Sequence, residues 1–232
     1  MPLSRIELKM DAKAKIKAAI PPPYLTTLAY LIIMIIIGAI NNVLNSRFDP
    51  IVNNFTNGIT APAFSNTLLY SMIFMVLLSL VSGFINVGYT WYALRISRGM
   101  HAVFSNLLDV FNLPLKIIGL SVMVTVFTLL WMLLLIVPGI IAAYSYRQAF
   151  YILHDNPDYS IMQCIAESKA MMKGHKRALF VLDLSFIGWQ LLCVLTMGVL
   201  LIWILPYVYV TYANFFTAVN PGFAPGGEPF DE

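Results

Sequence analysis

Apolar residues in this chain run in long blocks rather than alternating with polar ones. Six blocks stand out: residues 24–44, 67–94, 112–129, 131–153, 177–196 and 199–219. Each is close to the roughly 20 residues a helix needs to cross hydrocarbon. A backbone in lipid must satisfy its polar groups internally, and only helices or closed barrels do so. The period-two alternation of a barrel wall is not there, so the blocks read as helices. The boundary between the third and fourth is soft, because Thr128-Leu129-Leu130-Trp131 holds no turn residue. Pro138-Gly139 offers an alternative turn, and either choice leaves an even number of crossings.

Between the blocks the period changes to that of amphipathic helices. Ser4 and Glu7 form a capping-box pattern, and Leu8, Ala12, Ile16 and Ile20 then recur on one helical face until Pro21-Pro22-Pro23 stops it. A second stripe runs through Val103, Leu107 and Phe111 to Pro114. A third opens on Ser160 and Gln163, carries Ile161, Ile165, Ser168 and Met172 on one face, and ends near Gly174. Apolar stripes with basic flanks suit helices lying in a membrane interface.

Each stripe precedes a pair of apolar blocks, and the second block of each pair shows a further correspondence. Tyr89, Tyr144 and Tyr212 align, and six residues before each stands a helix breaker: Gly83, Pro138 and Pro206. The expectation is a threefold internal repeat, at about 4–95, 101–153 and 160–219. All three copies enter from one side, so their symmetry axis lies along the membrane normal. The expected fold is an all-α membrane protein. Its six transmembrane helices form three tandem hairpins, each preceded by an interfacial amphipathic helix. They make one membrane domain over 1–220, and the Pro-, Gly- and acid-containing tail 221–232 reads as disordered.

Composition agrees with the pattern. Apolar residues make up 59% and charged residues 11%, against about a quarter charged in soluble domains. Lipid must therefore form part of the solvent. Thirteen of the fourteen Lys and Arg residues fall on one side of the predicted spans, and Arg47 alone falls on the other. The positive-inside rule then places both termini in the cytoplasm. The basic segments are accounted for by topology and anionic lipid, with no call for nucleic acid. The apolar run from Leu25 to Leu44 is too long for a signal h-region, so it reads as a retained first span. Cys164 and Cys193 fall in separate elements and read as reduced thiols. His154, Asp155 and Asp158 flank an Asn156-Pro157 turn rather than a metal spacing. The expectation is no metal and no cofactor.

Four segments carry a resemblance to a known family. They are Ser168-Lys169-Ala170-Met171-Met172-Lys173-Gly174-His175-Lys176, Leu182-Asp183-Leu184-Ser185-Phe186-Ile187-Gly188-Trp189, Pro138-Gly139-Ile140-Ile141-Ala142-Ala143-Tyr144-Ser145-Tyr146 and His154-Asp155-Asn156-Pro157-Asp158. With the basic segment Arg5 to Lys17, the chain over about residues 5–219 resembles a bacterial membrane-protein family of unknown function, found largely in Gram-positive bacteria. It departs at Ala18-Ala19-Ile20-Pro21-Pro22-Pro23, where such proteins often carry a Gly-Asn-Trp-like turn. The resemblance implies six spans in a bacterial cell membrane, and no activity.

Arg147 and Asp183 are the charges placed most clearly inside spans, both about 9 Å from the same membrane face at 1.5 Å per residue. Two readings stand: a structural ion pair or snorkelling arginine, and a ligand-binding or proton-coupling pair facing a cavity. Tyr144 and Tyr212, with Tyr146, Tyr207 and Tyr209, could line a pocket or merely pack. Asn86, Asn214 and Gln190 must find hydrogen-bond partners within the bundle. Gly83, Pro138 and Pro206 are either simple kinks or discontinuities that free carbonyls for a ligand. No nucleophile motif, phosphate loop or paired-carboxylate arrangement is present. The expected function is non-enzymatic transport, or an accessory to transport, of a lipid-like or amphipathic molecule. The alternative is an envelope scaffold or immunity-type protein acting through a partner protein. The expected partners are membrane lipids, with another membrane protein or a second copy of the chain also allowed.

Overall fold

The computed structural model describes residues 4–56 and 66–220, and among them every regular element is a helix. In order these are α1 (Arg5–Ala18), α2 (Pro23–Thr56), α3 (Asn66–Ser97), a 3-10 helix (Phe104–Asn112), α4 (Pro114–Leu134) and α5 (Ile136–Tyr146). There follow α6 (Ala149–Asp155), α7 (Ile161–Met171), α8 (Lys176–Leu184), α9 (Ile187–Leu195) and α10 (Leu201–Val219). The expected tail, 221–232, lies outside the described residues. Among the described residues five stretches are long and apolar enough to cross a membrane: Pro23–Leu44, Met72–Ser97, Pro114–Leu134, Lys176–Leu195 and Leu201–Val219. Such a set suggests a membrane protein. So do the large apolar side chains left on the outer surface, among them Ile35, Ile73, Leu133 and Leu195, which water would penalise and lipid does not.

The fourth expected span, 131–153, is not one helix. The chain turns at Leu135, whose backbone is extended (φ −162, ψ 141), between the two turns the sequence offers. Thr128 to Trp131 stay in α4 because nothing there opposes a helix. Pro138 falls in the first turn of α5, where a proline's missing N–H leaves no ladder bond unmade. It helps to start that helix and does not break it. Beyond the turn α5 packs back on α4, and Gly139 lies so close to Met132 that a Cβ there would sit 2.8 Å from Met132 Cα. The run then divides at Arg147-Gln148 into α5 and α6.

α10 forms the centre of the bundle. More than half of its apolar window is buried, against under a quarter for the other four. Together α10 and α3 divide the interior into two clusters. Phe84, Val87, Trp91 and Leu94 of α3 face one with Ala213 and Phe216. Tyr89, Tyr92 and Ile96 face the other with Tyr207, Val210 and Phe215. The helical spacing of each set places the two on different faces of one helix.

The amphipathic segments sit against this core. α1 is capped by Ser4, which accepts from the Glu7 amide (3.5 Å), and buries Ala12 and Ile16 against α10 and α3. Ile20 lies beyond its end and is 74% exposed. The second segment is a 3-10 helix, and its three-residue turn shifts the stripe. Leu107 and Val110 are buried while Val103 and Phe111 stay exposed. α7 has its reciprocal capping box, with the Gln163 amide on Ser160 Oγ (3.3 Å) and the Ser160 amide on Gln163 Oε1 (2.7 Å). It buries Cys164, Ile165, Ser168 and Met172, and Gly174 follows at φ +88.

Gly88 is where α3 meets the 3-10 helix: a Cβ built on it lies 2.1 Å from the Leu107 carbonyl oxygen. Gly83, one turn earlier and exposed, has nothing within 4 Å of such a Cβ. Gly88→Ala is therefore expected to lower stability by about 1–3 kcal/mol through overpacking. Gly83→Ala should be neutral or raise it by about 0.5–1 kcal/mol. Thermal unfolding in detergent, followed by circular dichroism, separates the two; equal effects would contradict the contact.

Candidate functional site

The site is built where two helical runs lose their regular ladders side by side. At the α5–α6 junction, Ser168 of α7, fully buried, inserts its hydroxyl. Ser168 Oγ donates to the Ser145 carbonyl (2.8 Å) and accepts from the Gln148 amide (3.2 Å). A side chain that enters the ladder in this way bends a helix without glycine or proline. At the α8–α9 junction the backbone tightens to three-residue bonds, from the Ser185 amide to the Leu182 carbonyl (3.1 Å) and from Phe186 to Asp183 (2.9 Å). The Ser185 carbonyl accepts from Lys9 Nζ of α1 (3.1 Å), and the Lys9 ammonium stands 4.1 Å from the centre of the Phe186 ring. Burial there, with Arg5 and Lys13 nearby, lowers the Lys9 pKa below its ordinary value.

The two junctions bring Arg147 and Asp183 together. Arg147 Nη1 donates to Asp183 Oδ2 (2.5 Å), and Tyr144 Oη donates to the same oxygen (2.8 Å). The guanidinium carbon lies 4.3 Å from the ring centre of Tyr212, in cation–π range. Tyr212 in turn packs edge-on to Phe186 (5.9 Å). A single carboxylate oxygen thus takes two donors, and the arginine keeps further N–H groups beyond that bond.

Arg147 lines a cavity of about 530 Å³ between α3, the α5–α6 junction, α8–α9 and α10. Its polar wall comprises Asn86, Thr90, Arg147, Gln148, Tyr209 and Tyr212, and Gln190 also lines it. Tyr209 Oη donates to Asn86 Oδ1 (2.9 Å) and packs edge-on to Tyr89 at 4.9 Å. Along α10 the wall is apolar, formed by Leu201, Ile204, Leu205 and Val208. Gln148 is 2% exposed; its Nε2 approaches Met172 Sδ (3.7 Å), and its Oε1 has no hydrogen-bond partner.

The remaining residues singled out in the sequence lie elsewhere. Asn214 serves α1, accepting from Lys15 Nζ (3.2 Å) and donating to the Leu8 carbonyl (3.2 Å). Tyr144 reaches Asp183 from outside the cavity, and Tyr146 is buried against Phe127. Tyr207 packs on Phe186 (5.5 Å). Gly83 does not interrupt α3, which is continuous from Asn66 to Ser97; a glycine weakens a helix by about 1 kcal/mol but keeps its N–H. Pro206 lies inside α10, and the helix runs through it. Gln148 and the junction at Ser185 carry no sequence signal beyond polarity in an apolar run, and Ser168 is marked only by its place on the apolar face of the third stripe.

Near the ends of α3 and α6 lies a second polar cluster. Arg98 holds Asp155 through both carboxylate oxygens (2.7 and 2.6 Å), and His154 Nδ1 is 3.1 Å from Asp155 Oδ1. Burial pushes the Asp155 carboxyl up, but the hydrogen bonds from His154 and Arg98 outweigh it and hold the group below its ordinary value. Among the described residues no group of His, Cys, Asp and Glu is arranged to hold a metal.

A family model described as protein of unknown function (DUF975) matches residues 49–221, about three quarters of the chain. No curated protein and no solved structure matches it.

Replacing Ser168 with alanine leaves the Ser145 carbonyl and the Gln148 amide without their bridge. The expected loss is about 1–3 kcal/mol, with faster hydrogen exchange at the Gln148 amide than at amides of α10. Asp155 has its pKa depressed by folding. Its contribution is therefore complete above the ordinary carboxylate range and is lost as pH falls through the folded value. Asp155→Asn should flatten this acid limb of stability in unfolding measured from pH 6 to pH 2, and an unchanged limb would remove the pair from the account.

Proposed function

We propose that this chain, which belongs to the family described as protein of unknown function (DUF975), is a non-enzymatic multi-pass membrane protein that handles a lipid-like or amphipathic molecule, as a transporter or an accessory to one. The observation that carries this reading is the cavity beside Arg147, polar at one end and lined by apolar residues of α10 at the other. A pocket of that kind suits a ligand with a head and a tail. Arg147, held to Asp183 at two helix junctions, stands at the polar end with Gln148, Tyr209 and Tyr212. Discontinuous helices around a site near the bilayer interior are a recurrent device of transporters.

The membrane arrangement belongs to the same proposal. The five long apolar stretches each cross once, and α5 with α6, over residues 136–153, makes a sixth crossing of about 27 Å at 1.5 Å per residue. Both termini then lie in the cytoplasm of a bacterial cell, on the side that holds thirteen of the fourteen basic residues. The three amphipathic segments lie at that face, in keeping with three tandem repeats.

Native mass spectrometry of the protein, extracted with its surrounding membrane, tests the functional reading. The expected result is a stoichiometric amphiphile that is lost in Arg147→Ala, while that variant keeps its helical circular dichroism. A co-purifying polypeptide with no bound small molecule would instead favour a scaffold or immunity-type role.

A further inference from the structure

We propose that the polar end of the cavity is a headgroup site for a single-chain amphiphile carrying both an anionic group and a hydrogen-bond donor. This rests on the amphiphile-handling reading above and adds the chemistry of the head. Two side chains set that chemistry, and they ask for opposite things. Arg147 asks for an anion. Only its Nη1 reaches Asp183, its side chain is 35% exposed, and it lines the cavity. A guanidinium presents a planar fork that matches the two oxygens of a carboxylate or phosphate. The Tyr212 ring centre lies 4.3 Å from its guanidinium carbon.

Gln148 asks for a donor. Its amide nitrogen is held by Ser168 and its side-chain nitrogen by Met172, so the carboxamide is fixed while Oε1 is left buried and unpartnered. Buried polar groups in native structures nearly always find a partner. The residue lines the same cavity as Arg147, its neighbour in sequence. A hydroxyl or ammonium on the ligand head, next to the anionic group, completes this acceptor while the anion meets the guanidinium.

The tail follows from α10. From Tyr212 back to Leu201 the cavity wall extends about 16 Å at 1.5 Å per residue, roughly half of a ~30 Å hydrocarbon core. Ile204, Leu205 and Val208 present apolar side chains along that length. The volume, about 530 Å³, falls within the ~300–1,000 Å³ of small-molecule sites. A volume of that size suits one alkyl chain.

The test uses the full chain in lipid nanodiscs and three probes of equal chain length: a lysophosphatidylglycerol, the matching monoacylglycerol without phosphate, and an alkyl methyl phosphate without hydroxyls. Competition binding is read by native mass spectrometry. The expected result is one molecule of lysophosphatidylglycerol per chain, favoured at least tenfold over either of the others. Arg147→Gln should bring it to the level of the monoacylglycerol. Gln148→Leu, similar in volume, should bring it to the level of the alkyl phosphate. Thermal unfolding of each variant checks that it is folded, and the ranking of the three probes on the wild-type chain stands even if a variant is not. Equal binding of all three, or a preference for the uncharged probe, overturns the headgroup assignment and leaves amphiphile handling intact. Binding of none overturns both.

Discussion

A polar backbone or side-chain group inside an apolar bundle must find its partner within the protein, because neither lipid nor a neighbouring leucine can supply one. At the two helix junctions that constraint is met across elements. Ser168 of α7 takes the Ser145 carbonyl and the Gln148 amide where α5 gives way to α6. Lys9 of α1 takes the Ser185 carbonyl where α8 gives way to α9. Each interruption is thus closed by a side chain from an amphipathic helix. Because both are closed, the two runs can stay interrupted side by side, and Arg147 can reach Asp183. The cavity, its polar end and the path of α10 past Tyr212 all depend on those two capped junctions.

The amphipathic helices therefore do more than skirt the bundle. α1 presents Ala12 and Ile16 to the core, and Lys9 and Lys13 approach the rings of Phe186 and Tyr207 at 4.1 and 5.5 Å. Cation–π contacts of this kind are worth about 0.5–2 kcal/mol each, more where water is excluded. A basic helix can thus pack into a largely apolar surface while its charges rest on aromatic faces. The tyrosines form the complementary lattice. Tyr30, Tyr89 and Tyr209 touch in sequence at 4.5 and 4.9 Å, tying α2 to α3 and α10, and Thr27 meets Tyr89 Oη at 2.7 Å.

How much of this the sequence discloses depends on whether the cause is local. The apolar runs, the Ser4 and Ser160 caps and the stop at Gly174 all arise within a few residues of themselves, and each can be read directly. Arg147 and Asp183 are conspicuous because charge is rare in such runs. The turn at Leu135 is not legible, since no residue there disfavours a helix and the neighbouring Pro138 suits a helix start as well as a break. The junctions at Arg147-Gln148 and Ser185-Phe186 are hidden for a stronger reason: the groups that hold them, Ser168 and Lys9, come from elsewhere in the chain. Glycine and proline point instead to Gly83, where α3 runs on. The stripe of the second amphipathic segment is misplaced by one assumption, a 3.6-residue turn where the chain adopts three.

The contacts of α1 also bear on how the molecule is made. Lys9 and Ser185 are 176 residues apart, and Lys15 and Asn214 are 199 apart. The helix α1 thus has its polar partners in segments that are synthesised long after it. At synthesis rates of about 5–20 residues per second, it waits on the order of ten seconds or more before those partners exist. During that interval the face of Ala12 and Ile16 lacks its α10 partners and can rest on α3 or on the membrane surface. Its polar contacts with Ser185 and Asn214 therefore form late, and they fasten together segments that lie far apart in the sequence.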